Sequence, residues 1–145
     1  METGKTHLKT SPIVEAIGEA EKFTTGEIRV HLSRRWFDPN PLGRAQKCFA
    51  RFKMHQTKER NGVLLYVNLR LQKYAIFGDK GIHERVGDVY WSELSAALSR
   101  DLRATHYEKA IALAVITIGV TLTKFFPAQA GAENANELSN EVTQD

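Results

Sequence analysis

Three segments that contain glycine turns carry side-chain oxygens that could bind a cation. Glu27 follows the turn TTG and begins the stretch EIRVHL, Asn61 lies in RNGVLLYVN, and Asp79 lies in AIFGDKGI. Carboxylate and amide oxygens, together with turn carbonyls and water, are the ligands that a hard cation such as calcium requires. These residue types indicate a site for a divalent cation, calcium or magnesium, provided that the fold brings the three segments together.

Further charged residues lie close to these segments in the sequence. Glu84 and Asp88 follow Asp79 along the chain and are candidate additional metal ligands, whereas Arg60 and Lys80 are opposing positive charges. Each segment also has a simpler interpretation. Asn and Asp in turns bond to their own backbone, and the glutamate of the first turn could pair with Arg60. The metal hypothesis therefore depends on the meeting of all three turns.

Hydrophobic periodicity defines the elements that position these turns. Ser11 and Pro12 are typical of a helix start, and Ile28, Val30 and Leu32 alternate with polar residues as in a half-buried strand. The apolar run after RNG is typical of a strand that is covered on both faces. The sequence predicts helices over residues 12–22, 42–58, 88–103 and 107–124, and strands over residues 28–33, 63–67 and 74–77.

The order of these elements decides which turns are neighbours. The helix between the first two strands makes a crossover connection, which places those strands parallel, whereas the short connection to the third strand indicates an antiparallel hairpin. The beginnings of the first two strands then lie at the same edge of the sheet as the end of the third. We therefore expect an α/β fold in which Glu27, Asn61 and Asp79 gather at one edge of a small mixed sheet.

The composition is typical of one soluble domain in a reducing compartment. The chain has 145 residues, 42% hydrophobic residues, a net charge of +3 and one cysteine, Cys48, which lies on the apolar stripe of the second predicted helix. A single cysteine excludes an internal disulfide framework. The N-terminal residues lack the apolar core of a signal peptide, and the apolar run 110–123 is shorter than the roughly 20 residues that cross a bilayer. We therefore expect a cytoplasmic protein without a membrane span.

The two ends of the chain differ in composition from the part between them. Residues 1–10 are predicted to be a flexible N-terminus, residues 11–127 the folded domain, and residues 128–145 a disordered acidic tail. The tail contains no Lys or Arg, and its acidic residues are Glu133, Glu137, Glu141 and Asp145. The positive charge of the chain therefore lies before the tail.

The sequence lacks the motifs of well-known catalytic sites. It contains no GxxxxGK[ST] phosphate-binding loop, no nucleophile elbow, no HExxH pair and no cysteine followed six residues later by arginine. The catalytic residues are accordingly unknown, and Asp79 and Arg60 are the candidates for a metal-dependent phosphatase. A third hypothesis is a basic module for polyanions led by Arg34, Arg35 and Trp36. Nucleic acid is not an expected partner, because no RNA-binding signature accompanies these residues.

Four stretches of the chain, taken in order, resemble the motifs of one known family. TTGEIRV, RNGVLLYV, AIFGDKGI with Trp91 soon after it, and TKFFP are similar to the successive motifs of the TPM domain family, over residues 13–127. The resemblance implies a three-layer α/β/α sandwich of Rossmann-like form, with helices on both faces of a small mixed sheet. It also implies binding of a divalent cation such as calcium and, in plant members, a weak acid phosphatase activity. The polar motif positions fall on Glu27, Arg60, Asn61 and Asp79.

The favoured interpretation is a TPM-domain protein that binds one calcium-like cation at the edge of its sheet and acts as a regulatory or interaction module. The alternative is a weak metal-dependent acid phosphatase, a phosphomonoester hydrolase, that uses the same site with Arg60 or Lys80 holding the phosphate. Many bacterial relatives add a signal peptide, a transmembrane helix and a Gly-rich tail, which this sequence lacks. We therefore expect any association with a membrane to come through a protein partner.

Overall fold

The computed structural model describes residues 11–129 and 142–145. The helices are α1 (Pro12–Ala20), α2 (Pro41–Arg51), α3 (Lys80–Ala104) and α4 (Tyr107–Phe125), and a single 3-10 turn covers Met54–Gln56. The strands are β1 (Glu27–Ser33), β2 (Gly62–Asn68), β3 (Lys73–Gly78) and β4 (Val142–Gln144). α2 is the crossover between β1 and β2, and a tight turn joins β2 to β3.

The strands form one sheet in the order β3-β2-β1-β4. β1 is parallel to β2 and to β4, and β2 is antiparallel to β3. The register pairs Glu27 with Gly62 and Val63 with Gly78. The beginnings of β1 and β2 and the end of β3 therefore lie at one edge, as the predicted chain directions required. We call this edge, formed by residues 24–27, 59–62 and 78–81, the turn edge.

Helices cover both faces of the sheet. α1, α3 and α4 pack on one face, over side chains such as Val30, Val63 and Leu65. α2 packs on the other face, over Leu64 and Tyr66. β2 is buried along its whole length, as its uninterrupted apolar run predicted. The prediction of a layered α/β fold with a mixed sheet is confirmed.

The polar face of β1 is buried, which corrects the prediction of a half-buried strand. All seven residues of β1 are buried. The guanidinium of Arg29 lies 4.6 Å from the ring centre of Phe52, and the His31 ring stacks on Tyr66 with 5.9 Å between ring centres. The alternation in the sequence therefore separates an apolar core from a polar interior beneath α2.

Two helices differ from their predicted lengths for backbone reasons. α2 ends at Arg51 instead of continuing to residue 58, and Lys53 adopts a left-handed φ of 58° that is incompatible with a helix. α3 begins at Lys80, where residue 79 caps it, well before the predicted start at Asp88. Gly87, with a φ of 79°, interrupts α3 just before Asp88. The predicted helix therefore corresponds to the second part of α3.

The predictions for the chain ends are only partly within the described residues. The N-terminus over residues 1–10 and the tail residues 130–141 lie outside them. Residues 142–144, which were predicted to belong to a disordered tail, form β4 beside β1. A strand of three residues is too short to show a periodic pattern. Within residues 11–129 and 142–145, no helix combines the length and the apolar character that a membrane span requires.

Candidate functional site

The turn edge brings together the three segments that carry the predicted ligands. Glu27 lies beside Gly62 in the sheet register, and the Asp79 amide donates a hydrogen bond of 2.9 Å to the Gly62 carbonyl. Because neighbouring strands are about 4.8 Å apart, the backbones at Glu27 and Asp79 are separated by about 10 Å. Asn61 immediately precedes Gly62 and lies between them. All three residues are buried.

Asp79 already has two partners at the turn edge. Its carboxylate accepts hydrogen bonds from Arg60 Nε at 2.7 Å and from Arg60 Nη2 at 2.9 Å. It also accepts from the backbone amide of Lys80 at 2.8 Å, which caps α3. The partner of Arg60 is thus Asp79 and not Glu27, and hydrogen bonding to Asp79 raises the pKa of Arg60. A cation would have to compete with the guanidinium for this carboxylate.

Gly81 allows the turn before β2 to contact the first turn of α3. Its amide donates a hydrogen bond of 2.8 Å to the carbonyl of Arg60. A Cβ at this position would lie 2.1 Å from the carbonyl oxygen of Glu59 and 2.6 Å from that of Arg60. The second glycine of the GDKG sequence, Gly81, is therefore required by the close backbone contact between two of the three turns.

Asn61 contributes a buried amide oxygen to the turn edge. Its Nδ2 donates to Thr25 Oγ1 at 3.0 Å, and Thr25 Oγ1 in turn donates to Glu59 Oε2 at 2.5 Å. Because the hydroxyl proton points to the carboxylate, the Thr25 oxygen must accept from the amide nitrogen, which assigns the amide orientation. Asn61 Oδ1 is buried and has no hydrogen-bond partner among the described residues. A buried acceptor without a hydrogen-bond partner is expected to have a cation or a water molecule beside it.

Glu21, at the end of α1, is a further carboxylate of this corner that the ligand prediction missed. Its Oε2 accepts a hydrogen bond of 2.6 Å from the Ile28 amide, and the residue is buried. Burial, followed by the charge of Glu27, raises the pKa of Glu21 to about 8. The sequence contained a sign of this placement, because position 21 follows Ile17 at helical spacing on the apolar stripe of α1. A carboxylate at an apolar position is a candidate for a buried functional group.

The structure does not bring the other two predicted ligands to the turn edge. Glu84 and Asp88 are exposed on α3. The Asp88 side chain is 95% exposed, and its carboxylate lies 3.6 Å from His83 Nε2. Within the described part of the chain, no three His, Cys, Asp or Glu side chains are grouped as a metal centre. Any ion at the turn edge must therefore take ligands from amide and backbone oxygens and water as well as from carboxylates.

The basic residues after β1 lie at the opposite end of that strand. Arg34, Arg35 and Trp36 are exposed, and the guanidinium of Arg70 lies 3.9 Å from the ring centre of Trp36. A cavity of about 640 Å³ adjoins this region, and its positively charged lining residues are Arg34, Lys73 and Arg103. The proposed polyanion surface and the turn edge are thus separate features.

Comparisons with known proteins agree with the architecture. A family model described as TPM domain matches residues 8–120, which include the whole turn edge. The chain is also similar to the NMR structure of the BA42 protein from the psychrophilic bacterium Bizionia argentinensis, with a TM-score of 0.82 and 34% sequence identity. That similarity covers 92% of this chain and 90% of the BA42 chain. A comparison with curated proteins finds no match.

Proposed function

Because the chain belongs to the TPM domain family, we propose that it binds a divalent cation of the calcium type at its turn edge and acts as a regulatory or interaction module. The ligands in this proposal are Glu27 and Asn61, and Glu21 joins them from the end of α1. Asp79, held by Arg60, forms the neighbouring wall of the site. Glu84 and Asp88 have no direct role in it.

One observation carries the proposal: side chains with buried oxygens, from three separate segments, lie at one corner of the sheet. Glu21, Glu27 and Asn61 are at most 4% exposed, and Asn61 Oδ1 has no hydrogen-bond partner within the described residues. Two carboxylates close together in a buried site disfavour each other's charged form, and a divalent cation between them would relieve that repulsion. The set of two carboxylates and an amide oxygen fits a hard cation.

The composition of the site also limits how tightly it binds. High-affinity calcium sites use several carboxylates, and sites with fewer charged ligands have dissociation constants of about 0.1 to 1 mM. Arg29 adds a positive charge that acts on Glu21 and opposes a cation. We therefore expect weak binding, with a dissociation constant in the upper part of this range. Such a value suits a module that responds to large changes in cation concentration.

A calcium titration followed by amide NMR shifts tests the proposal. The amides of Gly26, Glu27 and Asn61 should shift first and together, with one apparent dissociation constant. The amide of Asp79 should shift at higher calcium concentrations than these three, because its carboxylate lies in the adjoining wall of the site. Shifts confined to the acidic residues 133–145 would contradict the proposal.

A matched pair of variants separates a specific ligand from a general effect of charge. Asn61→Asp places a carboxylate oxygen where the amide oxygen lies and should tighten calcium binding about tenfold, because affinity rises with the charge of the ligand set. Asn40→Asp adds the same charge at the cap of α2, where Asp serves as well as Asn. Equal tightening by both substitutions, or none by Asn61→Asp, would refute a ligand role for residue 61.

A further inference from the structure

The end of the described chain adds a strand to the outer side of β1. Residues 142–144 pair in parallel with residues 30–32, and the Asp145 amide donates a hydrogen bond of 3.0 Å to the Leu32 carbonyl. An open strand edge presents unpaired backbone groups and readily accepts another extended segment. β4 therefore occupies a position that can receive a strand.

The side chain of Asp145 enters a positively charged pocket beside this edge. Its Oδ2 lies 3.1 Å from His31 Nε2, 3.1 Å from Arg44 Nη2 and 3.6 Å from Arg35 Nε. We call His31, Arg35 and Arg44 the carboxylate pocket. Burial alone would raise the pKa of Asp145, but hydrogen bonds with Ser33 and His31 hold it below its ordinary value. The pocket thus favours an ionised carboxylate.

Thr143 contacts the other nitrogen of the same imidazole. Its Oγ1 lies 2.8 Å from His31 Nδ1. A carboxylate can only accept, so the contact with Asp145 favours the proton on Nε2 and leaves Nδ1 to accept from the Thr143 hydroxyl. Val142, one residue earlier, is buried against the core. The site therefore accommodates an apolar residue at position 142, a hydroxyl residue at position 143 and a carboxylate at position 145.

This chemistry exceeds what is needed merely to cover a strand. The His31 side chain is only 2% exposed and burial lowers its pKa, so its ring needs hydrogen-bond partners, while Arg35 and Arg44 supply the positive charge that an anion balances. Apolar residues would close the edge at lower free energy. β4 has only three residues, so apart from the contacts of Thr143 and Asp145 its attachment consists of a short backbone pairing and one buried apolar side chain. A short strand whose attachment depends on a few side-chain contacts can be displaced by another segment that makes the same contacts.

We propose that the β1 edge and the carboxylate pocket form a docking site for an extended acidic segment of another protein. In that segment, apolar, hydroxyl and acidic residues take the positions of Val142, Thr143 and Asp145. The chain's own residues 142–145 occupy the site in cis, and the partner displaces them. Recognition is by strand addition, in which backbone pairing supplies affinity and the pocket supplies specificity. This docking site is independent of the proposed cation site, since β4 pairs with residues 30–32 whereas the turn edge lies at the beginning of β1.

Peptide binding to the full chain tests the proposal. The probe is a fluorescein-labelled, C-terminally amidated peptide with the sequence SNEVTQD, and the readout is fluorescence anisotropy. In the unaltered chain the cis segment competes at an effective concentration in the millimolar range. The double variant Thr143→Ala/Asp145→Asn weakens that competitor, so it should bind the peptide at least tenfold more tightly than the unaltered chain. Equal binding to both proteins, or to neither, would overturn the proposal.

Two matched measurements place the peptide in the pocket. Adding Arg44→Gln to the double variant should weaken peptide binding at least tenfold, whereas adding Lys47→Gln, on the exposed side of α2, should leave it unchanged. A peptide with Asn in place of its final Asp should fail to bind, and the intact peptide should shift the amides of residues 30–32. Binding that ignores Arg44→Gln or the missing carboxylate would refute the pocket.

Sedimentation of the unaltered chain distinguishes a second copy from a different partner. A monomer across the accessible concentration range is the result that the proposal expects. If the chain instead forms a dimer that Asp145→Asn dissociates, the occupant is the strand of a second copy, and the proposal of a different protein is wrong.

Discussion

The buried carboxyl group of Glu21 makes stability depend on pH in a direction opposite to that of most carboxylates. Its pKa is raised from 4.5 to about 8 in the folded protein, by burial and then by the charge of Glu27. Between these pH values the native state holds a proton that the unfolded state has released. The free energy of unfolding therefore falls as the pH rises through this window. Below this window both the native and the unfolded state hold the proton, so Glu21 no longer makes the free energy of unfolding depend on pH.

The substitution Glu21→Gln isolates this contribution. Glutamine is neutral at every pH, and its carbonyl oxygen can still accept the hydrogen bond from the Ile28 amide that now measures 2.6 Å. A shift from 4.5 to about 8 corresponds to about 5 kcal/mol across the window. Relative to the unaltered protein, the variant should therefore gain about 5 kcal/mol on going from acid to pH 8.

Urea unfolding followed by circular dichroism, at several pH values from acid to pH 8, measures this difference. Groups such as His31 titrate in both proteins and cancel when the two curves are subtracted. Glu19→Gln is the matched control, because it makes the same substitution two residues earlier, at a side chain that is 73% exposed. Parallel pH curves for the unaltered protein and Glu21→Gln would refute the assignment of a protonated buried carboxyl group.

Three further predictions concern the backbone, the capping residue and the thiol. Gly81→Ala should destabilise the protein by about 3 kcal/mol, because the added Cβ would meet two carbonyl oxygens. The control Gly18→Ala, on open helix surface, should stabilise the protein by about 0.5 kcal/mol. Similar changes in stability for both variants in urea unfolding would contradict the close-contact argument. Asp79→Ala should be about 1 kcal/mol less stable than Asp79→Asn, since Asn keeps the cap of α3, and equal melting curves would show that the cap is unimportant. Cys48 is 1% exposed and burial raises its pKa, so native protein at pH 8 should resist iodoacetamide until urea unfolds it; labelling at the rate of a free thiol would contradict this burial.

The parts of the fold that depend on connection length were predictable from the sequence. The crossover over α2 and the short turn before β3 determine the directions of three strands, and those directions place Glu27, Asn61 and Asp79 at one edge. The positions of individual glycines were equally informative, since Gly62 and Gly81 each mark a close backbone approach in the structure.

The side-chain pairing at the turn edge was not predictable, because it depends on geometry that sequence spacing does not contain. Arg60 has a left-handed backbone with a φ of 53° and pairs with Asp79 rather than with Glu27. Glu21 occupies an apolar position of α1, and only the tertiary structure shows that the position faces the start of β1. β4 was missed for a different reason: three residues cannot display a period, and their pairing partner lies more than a hundred residues earlier.

Paramagnetic broadening by manganese tests the cation site most directly, because it reports where the ion lies. Mn²⁺ accepts the same oxygen ligands as calcium and magnesium, and bound Mn²⁺ broadens the NMR signals of nearby amides. We predict that substoichiometric Mn²⁺ broadens the amides of Glu21, Glu27 and Asn61 before all others, and that excess calcium restores their signals. Broadening centred on residues 133–145 or on the exposed face of α3, with the turn edge unaffected, would contradict the account.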